Sequence, residues 1–135
     1  MIFQKGVEVI IAKSSEFFGK SSPRGTNPPK KIGSLWNIER NPQTRLFLGV
    51  SWSENAFNSY VHDDLIIVSS EEMNQFETPE QFYCHMKAKV DRLCDHFQLP
   101  TNDHEFTGED HFDVYFHFEK QLLKCQEIMR TSLGE

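Results

Sequence analysis

Histidines, cysteines and carboxylates are the residues with which this chain could do chemistry, and they crowd into its second half. Cys84 and His85, then Cys94 and His96, are followed by His104, His111 and His117. A zinc site built on paired thiolates wants a C-x2-C spacing, and that spacing is absent. The expectation is therefore one half-buried thiol and a set of surface histidines, with no metal and no cofactor. The acids Asp103, Glu105, Glu109, Asp110 and Asp113 surround His104 and His111. Such a group could do general acid–base work or hold a divalent cation. It lacks a repeated D-x-D pattern and a glycine-centred calcium loop, so a contact surface for a basic partner is the expected role. Residues 14–21 read S-S-E-F-F-G-K-S, close to the phosphate-binding pattern G-x-x-x-x-G-K-[ST] with Ser14 in place of the first glycine. That chemistry needs the glycine and a helix opening at the lysine. Here Ser-Pro-Arg-Gly follows, so a solvated basic loop is expected instead. No G-x-S-x-G elbow and no recognisable Cys/His protease setting occurs.

Elements must position these residues. Residues 7–12 are β-branched and compact, which predicts a strand. Residues 14–31 hold Pro23, Pro28, Pro29, Gly19 and Gly25 with Lys20, Arg24, Lys30 and Lys31, which predicts a mobile basic loop. Over 44–53 the chain alternates, with Leu46, Leu48, Val50 and Trp52 on one face. Residues 56–62 and 64–70 read as two further strands joined by a tight turn at Asp63 and Asp64, giving a three-stranded meander. Thr78, Pro79 and Gln81 form a helix start with a capping box. Phe82, Met86, Val90, Leu93 and Phe97 then make one apolar stripe over 78–98, and Pro100 ends it. Residues 111–118 alternate strictly, placing Phe112, Val114, Phe116 and Phe118 on one face. This predicts a strand, with a helix following at 119–131. A helix begun near Thr107 would instead align Val114, Phe118, Leu122, Cys125 and Met129. Trp36 and Trp52 read as core residues.

Composition bounds the rest. A chain of 135 residues, 38% hydrophobic and 25% charged, reads as one globular domain over 1–135. The predicted class is α+β: a mostly antiparallel sheet of four to five strands, with helices 78–98 and 119–131 packed on one face. Three widely spaced cysteines argue against a disulfide framework and for a reducing compartment. The apolar run at 9–12 is too short for a signal sequence, and the run at 65–68 is too short to span a bilayer. A cytoplasmic protein with no membrane partner is expected. Charge is lopsided: residues 1–67 carry 8 Lys+Arg against 6 Asp+Glu, whereas residues 68–135 carry 6 against 14. An acidic half disfavours nucleic acid and favours a basic protein.

The reading that follows is a small acidic binding protein that occludes the active site of a basic partner, such as a toxin or a nuclease. The expected contacts are Asp103, Glu105, Glu109, Asp110, Asp113 and Tyr115. In size, acidity and lack of catalytic motifs the chain resembles toxin-immunity proteins and phage-encoded inhibitors as a general kind. The alternatives are a small metal-assisted hydrolase using His104 and His111, and a non-catalytic adaptor subunit of a larger assembly.

Overall fold

A computed structural model describes residues 2–20, 26–40 and 45–134. Five strands form one antiparallel sheet: β1 (Glu8–Ile11), β2 (Gly33–Arg40), β3 (Leu46–Ser53), β4 (Ala56–Val61) and β5 (Leu65–Val68). Four helices follow: α1 (Ser70–Met73), α2 (Pro79–Phe97), α3 (His111–His117) and α4 (Glu119–Ser132). The class is α+β as the sequence predicts, with two short helices, α1 and α3, beyond the two expected.

The strand order β4-β3-β2-β1-β5 puts β4 and β5 at opposite edges of the sheet. The expected hairpin between them does not form. A short 3-10 turn, His62–Asp64, is all that joins them. In a flat sheet four strand spacings would part the edges by about 19 Å. Four residue steps reach at most about 14 Å. The sheet must therefore curl so that its edges approach at this end. The turn is fastened on three sides. Ala12 N–H donates to the Asp64 carbonyl at 2.8 Å. Val61 N–H donates to Asp64 Oδ2 at 3.4 Å, and Leu46 N–H donates to His62 Nδ1 at 3.3 Å.

Curling gives the sheet an inner and an outer core. Val9, Ile11, Leu35, Leu46, Leu48, Val50, Trp52, Tyr60 and Leu65 gather with Phe3. Ile10 of β1, Ala12 just past it, and Ile66 and Val68 of β5 pack on Phe82, Met86, Val90 and Cys94 of α2. Val114, Tyr115 and Phe118 complete that layer. The uninterrupted apolar run of β5 follows from burial on both faces.

Strand β2 was not apparent in the sequence, because a bulge between Leu35 and Asn37 breaks its period. Leu35 is buried, Ile38 packs on the same inner cluster three residues later, and Trp36 is left on the outer face, 52% exposed. Trp36 is thus not a core residue, whereas Trp52 is.

The expected strand at 111–118 is helical instead. Asp110 caps it: Asp113 N–H donates to Asp110 Oδ1 at 3.0 Å, and Asp110 N–H donates back to Asp113 Oδ2 at 3.3 Å. The helix buries Val114, Tyr115 and Phe118, a helical spacing, and leaves Phe112 and Phe116 only half-buried. In α2 the predicted capping box is present, with Gln81 N–H on Thr78 Oγ1 at 3.2 Å and Thr78 N–H on Gln81 Oε1 at 3.4 Å. Phe82, Met86 and Val90 are buried as expected, but the fourth buried position is Cys94, not Leu93. Leu93 and Phe97 are half-buried.

Both described flanks of the 14–31 segment are tied to the domain. Lys13 and Ser14 N–H groups donate to the Glu119 carboxylate at 2.5 and 3.2 Å. Ser15 Oγ donates to Asp64 Oδ1 at 2.9 Å, and Phe18 packs edge-on against Phe116. Lys30 Nζ meets Asp110 Oδ2 at 2.9 Å. Arg24, with the rest of 21–25, lies outside the described residues.

His62 makes the closure of the sheet sensitive to pH. Burial pushes its imidazole below the ordinary range; Asp63 opposes this and Arg130 adds to it. The unfolded chain therefore binds this proton more readily than the folded one. Stability from neutral His62 is complete above the unfolded value of 6.5 and is lost as pH falls toward the lower folded value. His117, also lowered by burial first, acts in the same direction. The melting temperature is expected to drop between about pH 7.5 and pH 5, and His62→Gln should shrink that drop. The carboxylates held low in the fold, Glu72 and Asp113, lose their contribution only below 4.5 and 3.8, so they leave this window clear.

Candidate functional site

The acidic group lies on the connection between α2 and α3 and on the first turn of α3. That connection is locked by packing. Phe106 stacks on Tyr83 with centroids 5.1 Å apart and planes 10° apart. Asn102 Nδ2 donates to the His117 carbonyl at 2.6 Å. Gly108 has no room for a side chain: a Cβ would come within 2.3 Å of Asp113 Cβ and 2.6 Å of the Phe106 ring.

The six expected contact residues divide sharply on this frame. Asp103 is bonded to Lys87 Nζ at 3.1 Å and to Thr101, and the lysine holds its carboxyl below the usual range. Asp110 and Asp113 cap α3 and share Lys30, so the fold occupies both. Burial would push Asp113 up, yet the N–H groups of Glu109 and Asp110 and the Lys30 ammonium bring it below its ordinary value. Tyr115 is no surface residue. It is 1% exposed, its hydroxyl lies 3.3 Å from Ser69 N, and burial pushes its pKa up to about 12. Glu105 and Glu109 remain. Both are exposed, and neither carboxylate has an ion pair among the described residues.

The two histidines expected to act together, His104 and His111, make separate contacts, although the His117 ring bonds the His104 backbone. His104 is exposed on the loop, with its N–H on Asn102 Oδ1 at 3.0 Å. His111 stacks on Phe82 at 5.5 Å and its Nε2 sits 2.8 Å from the Phe76 carbonyl oxygen. His117 is boxed edge-on by Tyr83, Phe106 and Phe118. No group of three or more His, Cys, Asp or Glu is arranged to hold a metal among the described residues. One titratable cluster escaped the sequence reading: Glu72 accepts from Lys89 Nζ at 2.9 Å and meets His85 Nε2 at 2.9 Å. Burial would raise Glu72, but His85 and Lys89 outweigh it and hold the carboxyl low, which marks a salt-bridge anchor for α1 on α2. Cys94 and Cys125 are buried and free, and burial pushes both thiols up, Cys125 to about 11. Neither is a ready nucleophile. Cys84 is exposed.

A second surface stands on the sheet. Trp36 and Phe57 are about half exposed and meet edge-to-face at 6.0 Å, with Phe47 38% exposed on β3. Trp36 lies against Gly49, where a Cβ would approach its ring to 3.1 Å. Both sit at outward positions of their strands, Trp36 beside the buried Leu35 on β2 and Phe57 on β4.

Fold and surface together define a small α+β domain that presents a rigid acidic loop and an uncovered aromatic sheet face, with no helix among the described residues long and apolar enough to cross a membrane. No family model, curated protein or solved structure matches the chain.

Proposed function

We propose that this chain is a non-catalytic inhibitor or immunity-type protein that docks on a basic protein partner and covers its active site. The observation that carries the reading is the rigid presentation of Glu105 and Glu109. These carboxylates are uncommitted, whereas Asp103, Asp110 and Asp113 are neutralised within the fold. A locked loop loses little entropy on binding, and its charge steers encounter with a cationic cleft. The acidic excess of residues 68–135 extends that field over the helical layer.

The test is association at two ionic strengths. Partners are captured from lysate on the wild-type chain and identified, and rates are then measured by surface plasmon resonance. Glu105→Lys with Glu109→Lys should slow association about tenfold at low salt and much less at high salt, because exposed charges are screened beyond about 8 Å in physiological buffer. Melting temperature should stay unchanged, since neither residue caps a helix or pairs with a lysine. An unchanged rate at low salt would remove the acidic loop from the interface.

The aromatic face supports a second reading, an adaptor that anchors a partner through Trp36 and Phe57. Tryptophan is among the commonest anchors of protein interfaces. Trp36→Ala should then raise the dissociation rate while leaving association nearly intact. The hydrolase reading draws less support, because His111 is engaged in packing and a backbone contact.

A further inference from the structure

His117, the last residue of α3, ties the acidic loop to the helices. Its carbonyl accepts from Asn102 Nδ2 at 2.6 Å, and its ring bonds the His104 backbone. The imidazole stands nearly perpendicular to Tyr83, Phe106 and Phe118, with centroids 5.4, 5.8 and 4.7 Å away. These three rings come from α2, from the loop and from the junction of α3 with α4. Tyr83 lies at only 10° to Phe106 and 9° to Phe118. Within this box His117 Nε2 is buried and has no hydrogen-bond partner among the described residues. A neutral ring leaves one bare acceptor there. A charged ring carries an N–H on both nitrogens, so it would set a cationic donor at Nε2 where no acceptor waits, which costs far more. The surrounding charges point the same way. Lys87 of α2, although paired with Asp91 and Asp103, and His104 of the loop both disfavour another cation. Glu109 and Asp113 line a neighbouring cavity together with His117 and Lys13. Asp113 is taken up there by Lys30 and by the N–H groups of Glu109 and Asp110, and the buried Nε2 does not open into that cavity.

We propose that His117 is an acid-sensitive latch on the loop that carries Glu105 and Glu109: neutral, it locks the loop against α2, and protonated, it leaves its aromatic box and the loop opens. Burial first, then His104 and Lys87, hold the ring of the closed loop below its ordinary value of 6.5. Once the loop opens, the ring enters water and titrates at that ordinary value. The open form therefore binds the proton more readily, and opening is favoured as pH falls below 6.5. One proton raises the opening constant at most about tenfold per pH unit, so about tenfold is the ceiling between pH 7.5 and pH 5.5. This differs from the response of His62, which acts on the closure of the sheet. The latch concerns the free chain and does not depend on the function proposed above.

Hydrogen exchange of the full chain, followed by NMR, tests this, with each rate divided by that of an unstructured peptide at the same pH. The reporters are the amides of His104 and Glu109, whose N–H groups are bonded to Asn102 Oδ1 and Asp113 Oδ2. Opening at both should rise severalfold between pH 7.5 and pH 5.5 while the amides of β3 stay protected. His62→Gln should leave that rise in place. His117→Phe keeps an aromatic ring in the box but takes no proton, so its loop should show no rise, whatever its opening at neutral pH. The wild-type His117 Cε1–H resonance is the second readout, and it should titrate below 6.5 in step with the opening. A flat opening constant in the wild-type chain, an equal rise in His117→Phe, loss of the rise in His62→Gln, or a His117 midpoint at or above 6.5 overturns the proposal.

Discussion

Phe82→Ala is expected to remove about 3–5 kcal/mol of folding stability, the loss typical of a large aromatic deleted from a closed core. Phe82 is 0% exposed and sits where the helices meet. Its ring touches Phe76 at 5.7 Å, Tyr115 edge-on at 5.3 Å, and His111 in a stack at 5.5 Å. These three neighbours come from the α1–α2 connection and from α3, so truncation opens a cavity that no single helix can close by shifting. A domain of this kind has about 5–15 kcal/mol in total, so the variant should lie near its unfolding threshold. Urea unfolding followed by tryptophan fluorescence measures this. Leu93→Ala, on the same helix but half-buried, should lose clearly less, because its site can relax toward solvent. Equal losses at the two positions would mean that the sequence stripe, and not Cys94, marks the buried face of α2.

Helix α2 was legible because all its signals are local: an N-cap, a proline at the first position, a capping glutamine and a stripe of helical spacing. Helix α3 has a strand-like sequence for a physical reason. Four apolar residues at every second position fit a strand, but Asp110 before the run and Asp113 within it cap one another. The local cap decided the structure, and the alternation served two different neighbours: Phe118 faces the core and Phe116 meets Phe18 at 5.5 Å. The strand β2 was hidden because its bulge replaces period two with a step of three. The expected hairpin at Asp63 and Asp64 fails because β4 and β5, neighbours in sequence, lie at opposite edges of the sheet. The run Leu65–Val68, apolar at every position, already demanded burial on both faces, which an edge hairpin with one wet side does not provide.

The site was legible in residue type and hidden in its use. Five carboxylates within eleven residues mark an acidic surface, and that much is plain in the sequence. Three of them serve the fold through partners that only tertiary structure brings near: Lys30 comes to Asp110 from 80 residues away. Charge reversal at Asp110 would therefore combine a binding effect with the loss of a helix cap, whereas Glu105 and Glu109 report on binding alone.

Asn27→Ala is expected to cost about 2–4 kcal/mol, because one side chain joins a buried polar network: the Asn58 amide and the Lys20 carbonyl lose their partner, and the Tyr60 hydroxyl is left with only the longer contact to the Thr26 carbonyl at 3.3 Å. Asn27 is 6% exposed. Its Oδ1 accepts from Tyr60 Oη at 2.6 Å and from Asn58 Nδ2 at 2.8 Å. Its Nδ2 donates to the Lys20 carbonyl. Tyr60 Oη in turn accepts from Trp52 Nε1 at 3.1 Å, deep in the inner core. The network thus links residue 20 to residue 27 and both to β3 and β4, which closes the ends of the long loop against the sheet. Alanine removes the acceptor for two donors and the donor for one carbonyl, in a place where water can reach only part of the gap. Tyr60→Phe removes a single hydroxyl from the same network and should cost less, about 1–2 kcal/mol. The double variant separates the two effects: a loss in the double variant smaller than the sum of the two single losses shows that both act through one network. Urea unfolding of the four chains provides the cycle. Strict additivity, or a loss below about 0.5 kcal/mol for Asn27→Ala, would show that the loop is held by Phe17 and Ser15 instead and that the buried amide is incidental.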